Sequence, residues 1–196
     1  MSDAAGSREA ILAAAKRLFM EQGFHGIAMR QIAEAVGVTK AALYYHFHDK
    51  EDLFVAIVES YLLDLSHLID TTAAGHTSIR AQICAIVQRI LSQPLEQRSI
   101  LRLTSQELSN VSAETRRRFL SMYHEQFIGR ITALLQAGIE SGELRNVDPL
   151  LATWTLLGMM YPYFHASPPV GISPSTDQIA QILDIFFDGL AQHAPS

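Results

Sequence analysis

Cysteine is almost missing from this chain. Cys84 is the single one among 196 residues, so no internal disulfide can form, and its neighbours Ile83, Ile86 and Val87 mark it as a small apolar filler rather than a redox centre. No apolar run reaches the roughly 20 residues that a membrane-spanning helix requires. The longest, near Leu150 to Phe164, is broken by Thr153, Thr155, Gly158 and Pro162. Met1 to Arg8 lacks the charged start, apolar middle and small-residue cleavage site of a secretory signal. The chain is therefore expected to stay in the cytoplasm, with no membrane partner. Catalytic signatures are missing too: there is no Gly-rich phosphate loop, no G-x-S-x-G elbow and no grouping of Cys, His and Asp that suggests activated chemistry. No two of the eight histidines stand four residues apart, the spacing that would put a metal-binding pair on one helix face. No enzymatic activity, metal or cofactor is expected.

Lysine is scarce and confined. Lys16, Lys40 and Lys50 are the only three, and all fall in the first 50 residues. The net charge of −5 argues by itself against a nucleic-acid partner, but it is unevenly spread: residues 1–50 sum to +1 and residues 51–196 to −6. Confined lysines, each a compact charge on a flexible stem, hint at an N-terminal role with a polyanion. With 48% apolar and only 18% charged residues, the chain can bury a substantial core.

The apolar positions repeat with helical period throughout, and no segment alternates as a strand does. Ile11, Leu12, Ala15, Leu18 and Phe19 mark helix 1, with Ser7 as its expected N-cap and Gly23 as its stop. Met29, Ile32, Ala33 and Val36 mark a short helix 2 halted by Gly37, and Thr39 opens an equally short helix 3 ending near His46. Asp49 caps a long helix 4. Helix 5 stops before Pro94, helix 6 fits Glu96 to Ser109, and a long helix 7 runs from about Ala113 to Ser141. Asp148 and Pro149 start helix 8, apolar nearly all round, and Ile179 to Leu190 carry a helix 9 with a broad apolar face. The expectation is an all-α chain of about nine helices. It comprises an N-terminal three-helix domain, residues 1–50, and a larger helical domain, residues 51–196.

Helices 2 and 3, joined at Gly37, have the proportions of a helix-turn-helix, whose second helix enters the DNA major groove. Thr39 directs the free N–H groups of helix 3 toward a phosphate; Lys40 and Ala41 lie in its first turn; Tyr44, Tyr45 and His46 offer polar tips to phosphates or bases. Lys50 adds a charge at the start of helix 4. Aromatic residues at helical spacing also suit a core. Leu43 and Phe47, four apart, take that role, and adjacent Tyr44 and Tyr45 point about 100° apart, so at least one faces outward. A competing reading is a helical small-molecule-binding module with no DNA function, which would show no salt-dependent duplex affinity.

The stretch AILAAAKRLFMEQGFHGIAMRQIAEAVGVTKAALYYHFHDKEDLF, residues 10 to 54, resembles the DNA-binding domain of TetR-family transcriptional regulators. The resemblance rests on Gly23-Phe24, Ile32-Ala33, Gly37-Val38-Thr39, Leu43-Tyr44, Phe47 and Lys50-Glu51 at the family's spacing. It implies an all-helical homodimer, usually a repressor, that binds a near-palindromic double-stranded operator and releases it when a small-molecule effector occupies the larger domain. The chain departs from the family's pattern in two places. Ile27 and Ala28 stand where Thr or Ser usually contacts a phosphate, leaving Arg30 to compensate, and Ala41 replaces a common glycine. The effector pocket is expected among helices 5 to 8, with Cys84, Gln88, Tyr123, His124, Phe127, Trp154 and Phe164 as candidate lining and a largely hydrophobic ligand. The last two helices resemble the family's dimerisation pair, with Leu157, Tyr161, Ile182, Ile185 and Phe186 as candidate interface residues; their broad apolar faces point the same way.

Overall fold

The computed structural model describes residues 2–164 and 175–190. Among these the chain is helical without a strand. The helices are α1 (Ser2–Gln22), α2 (Met29–Val36), α3 (Lys40–His46), α4 (Lys50–Ala73), α5 (Ile79–Leu91) and α6 (Leu95–Glu107). Next, α7 runs as Ala113–Tyr123, opens into a π-helical turn at His124–Ile128 and continues as Gly129–Glu140; α8 (Pro149–Phe164) and α9 (Thr176–Leu190) follow. Two compact units result, one from residues 1–61 with 99–121, the other from 62–98 with 122–196. The first thus reaches beyond the three N-terminal helices.

In the first unit, α1 packs on α2 and α2 on α3. Ile11, Ala15 and Phe19 of α1, Ile32 of α2, Leu43 of α3 and Leu53 of α4 are all fully buried. Phe19, Phe24 and Phe54 form an aromatic cluster with ring centroids 5.2–6.1 Å apart. Gly37 closes α2 at φ 75°, a left-handed conformation that a Cβ would strain, and the Val38 N–H reaches back to the Ala33 carbonyl at 3.0 Å. Thr39 caps α3 by accepting the Ala42 N–H at 3.1 Å. Asp49 caps α4 by accepting the Asp52 N–H at 2.8 Å, while the Asp52 carboxylate accepts the His48 N–H at 3.0 Å. Ser7 does not cap α1. The helix already runs from Ser2, so Ser7 lies inside it, where alanine-rich sequence on both sides favours propagation.

In the second unit the C-terminal half of α7 packs on α5 and α8, and α9 packs on α5 and α8. Gly138 permits a close approach: a Cβ there would sit 2.9 Å from Leu144 Cδ1 and 3.1 Å from Ile79. Within the apolar contact of α7 and α8, the Thr132 and Thr153 hydroxyls lie 2.9 Å apart, and each also lies 2.8 Å from a carbonyl one turn back in its own helix, Ile128 and Pro149, so the buried Thr153 hydroxyl is satisfied. Asp148 caps α8 through the Leu150 and Leu151 N–H groups at 2.8 and 3.2 Å.

Candidate nucleic-acid interface

Capping and packing together decide which way α3 presents its residues. Leu43 and the following Phe47 are buried, whereas Tyr45 is 84% exposed and Tyr44 43% exposed. The Tyr45 ring meets His46 edge to face at 5.3 Å, and Lys40 Nζ stands over the Tyr44 ring at 5.6 Å. The exposed side chains are thus partly ordered by one another, which limits the entropy lost when a ligand immobilises them. Ala41 is exposed in the first turn. The Thr39 hydroxyl oxygen is engaged with the helix's own Ala42 N–H.

A groove of about 590 Å3 runs beside this helix. Residues 25–31 line it together with Lys40, Tyr44, Asp49 and Lys50. Arg30 projects here, 2.7 Å from Glu34 one turn along. Ile27, at a position where the resemblance leads one to expect a hydroxyl, is buried. The α2 N-cap is Ala28, in extended backbone and with no side-chain cap; its N–H donates to Gln31 Oε1 at 2.8 Å. The start of α2 therefore borders the groove with no cap from the Ala28 side chain.

Lys50 reaches back to the loop before α2. Its ammonium donates to the carbonyls of Phe24 at 2.8 Å and Ile27 at 3.0 Å, and it stands 4.4 Å from the Phe24 ring centroid. Two backbone acceptors and an aromatic face satisfy most of what a phosphate would offer, so the side chain turns inward to the loop. Arg30, Lys40, Tyr44 and Lys50 share one groove, while Thr39, Ala41, Tyr45 and His46 share α3 without lining that groove.

Two acidic residues have roles that local sequence does not announce. Glu51 accepts the Thr115 hydroxyl at 2.6 Å and the Ser112 N–H at 3.1 Å, which ties the start of α4 to the start of α7. The Thr115 hydrogen bond is the chief cause holding the Glu51 carboxyl below its ordinary value of 4.5, against a smaller opposing effect of burial. The stability linked to this depression is present above the ordinary value and is lost as pH falls through the lowered one. Glu51→Gln is expected to flatten the acid side of a stability profile measured by urea unfolding from pH 7 downward; a parallel fall in both proteins would count against the linkage. Glu107 is the second such residue, 83 positions from its partner Phe24.

The expected effector residues are less gathered. The Tyr123 and Phe127 rings meet at the π-helical turn, tilted by 48° with centroids 5.5 Å apart, and burial pushes the Tyr123 hydroxyl up to about 12. Burial likewise raises the half-buried Cys84 thiol. Gln88 and His124 face solvent. Trp154 is 51% exposed, because Thr153 turns inward to Thr132 and the next residue lies about 100° further round α8. The Phe164 side chain lies outside the described residues. Among the expected interface residues, Tyr161 and Ile185 are exposed, Leu157 and Ile182 half-buried and Phe186 buried. Ile185 and Phe186 line an apolar pocket of about 290 Å3 with Leu151, Thr155 and Met159 of α8. Among the described residues no group of three or more His, Cys, Asp or Glu could hold a metal, and no helix is long and apolar enough to cross a membrane.

A left-handed glycine between two short helices, a capped second helix with its tyrosines outward and a groove flanked by cationic side chains define a helix-turn-helix DNA-binding protein. Comparison with known proteins gives the same class. Residues 11–57 match the family model for bacterial regulatory proteins of the tetR family, and residues 76–190 match the tetracyclin repressor-like C-terminal domain. The chain is 30% identical over 192 residues to the HTH-type transcriptional repressor KstR2 of Rhodococcus jostii, covering 97% of this chain and 94% of that one. Among solved structures, the TetR-family regulator PfmR of Thermus thermophilus is 25% identical, with a TM-score of 0.75 over 93% of this chain and 99% of its own. AibR, crystallised with isovaleryl coenzyme A and operator DNA, is 23% identical, with a TM-score of 0.71 over 91% and 97%. This chain belongs to the TetR family of bacterial regulatory proteins, a family of transcriptional regulators rather than of enzymes.

Proposed function

We propose that this protein is a cytoplasmic, ligand-responsive repressor that binds a near-palindromic operator as a homodimer and lets go of it when a small, largely apolar molecule binds the larger helical region. The observation that carries the reading is the orientation of α3. A capped helix with Leu43 buried and Tyr45 84% exposed has no use for its tyrosines in its own core. Direct contacts fall to Lys40, Tyr44, Tyr45 and His46 on α3 with Arg30 on α2. Two copies of α3 about 34 Å apart would read successive major grooves on one face of the duplex. The effector class draws support from the apolar side chains of α5, α7 and α8.

The test is a fluorescence-anisotropy titration with duplex DNA flanking the protein's own gene, repeated across salt concentrations. Lys40→Ala is expected to lower the slope of log K against log salt by about 0.9, the value of one phosphate contact. Tyr45→Ala is expected to weaken binding about tenfold with the slope unchanged, as for a base contact. Equal affinity for flanking and mixed-sequence DNA, or binding indifferent to salt, would count against the reading.

A further inference from the structure

Glu107, the last residue of α6, holds the loop that leads into α2. Its side chain is only 13% exposed. Oε1 accepts the Phe24 N–H at 3.3 Å, Oε2 accepts Asn110 Nδ2 at 3.0 Å, and Oε2 lies 3.9 Å from His25 Nε2. The turn brings the backbone to this carboxylate: Gly23 adopts φ 74°, and a Cβ on it would stand 3.7 Å from Oε1. The carbonyls of the same loop go to Lys50. A carboxylate on the amide side and an ammonium on the carbonyl side thus fasten residues 23–28. The loop needs such fastening because α2, which follows it, has no side-chain cap, and residues 25–31 line the groove beside α3.

We infer that Glu107 is a positioning residue for duplex binding: it touches no nucleic acid and sets the place at which α2 begins. The inference rests on the DNA-binding reading above. Electrostatics alone makes the opposite forecast, since removing a negative charge near a polyanion tightens binding. A positioning role makes a variant that lacks the acceptor bind more weakly, because a site is held in register by the hydrogen bonds behind it. The sign of the change therefore separates the two.

Duplexes enriched from a random pool by the full-length wild-type protein serve as probe, with a mixed-sequence duplex as control. Glu107→Ala is expected to lose about tenfold in affinity for the enriched duplex, the scale of one charge-assisted hydrogen bond, with an unchanged salt slope. Glu107→Gln keeps an oxygen for the Phe24 N–H and is expected to stay within about threefold of wild type. Hydrogen exchange without DNA is expected to accelerate about tenfold at the Phe24 amide of Glu107→Ala and to stay unchanged at the Leu43 amide. If Glu107→Ala does not fold, Glu107→Asp, which withdraws the acceptor and keeps the charge, is expected to show the same loss. Wild-type or tighter binding by the Ala or Asp variant overturns the inference alone. A wild-type protein that enriches no duplex overturns the DNA-binding reading, and the inference with it.

Discussion

Lys50→Met is expected to destabilise the protein by about 2 kcal/mol and to weaken duplex binding about 30-fold while leaving its salt dependence intact. The ammonium serves two backbone carbonyls and one aromatic face. Leaving a buried acceptor without a donor costs about 1–3 kcal/mol, and a cation over an aromatic ring contributes about 0.5–2 kcal/mol. These bonds are only partly buried, so water can replace some of what is lost, and the lower end of the combined range is the one expected. Binding falls for a linked reason. A loop no longer held at Phe24 and Ile27 must be ordered as the duplex binds, and that free energy is subtracted from the affinity. No phosphate contact disappears, so the slope of log K against log salt stays that of the wild type. Urea unfolding and the salt series measure the two halves separately. A slope smaller by about 0.9 with undiminished stability would show instead that Lys50 leaves its carbonyls for a phosphate.

If the proposed homodimer forms through α8 and α9, Ile185→Arg on α9 is expected to give a monomer and to lower operator affinity about a hundredfold, with its own fold intact. Ile185 is 66% exposed in the single chain, and Leu151, Trp154 and Tyr161 of α8 are exposed as well. Covering an isoleucine contributes about 1.5–3 kcal/mol. A two-fold axis doubles the consequence of each residue, and an unpaired guanidinium forced into the same contact adds its desolvation penalty. The separate chain would be little affected, because the substitution lies where water already reaches. Operator affinity depends on the dimer through effective concentration: once one half-site is engaged, the second binds as an intramolecular event, an advantage of about 10²–10⁴. Sedimentation at micromolar protein and anisotropy on a two-half-site duplex test this directly. A variant that remains dimeric would move the interface elsewhere.

Much of the DNA-reading unit was legible residue by residue. Leu43 and Phe47 turned inward at the spacing expected of them, and of the adjacent tyrosines, at least one of which had to turn out, both are exposed. Thr39, Asp49 and Asp148 cap the helices they precede, since a cap requires only a short polar side chain and the two or three residues after it. Ser7 shows the same signal failing: a hydroxyl can cap a helix only where the chain before it is not already helical. For Trp154 the apolar composition of α8 pointed inward in every direction, and the Thr132–Thr153 bond chose among them.

Sequence alone determined the helices, most of their limits and that a tyrosine of α3 is left uncovered, because each follows from groups within a turn or two along the chain. Tertiary structure decided what the long charged side chains do. Lys50 finds carbonyls 23 and 26 residues back, Glu51 a hydroxyl 64 residues on and Glu107 an amide 83 residues back. Such a side chain can reach water, a phosphate or a backbone dipole, and only the fold brings one of them within hydrogen-bonding distance.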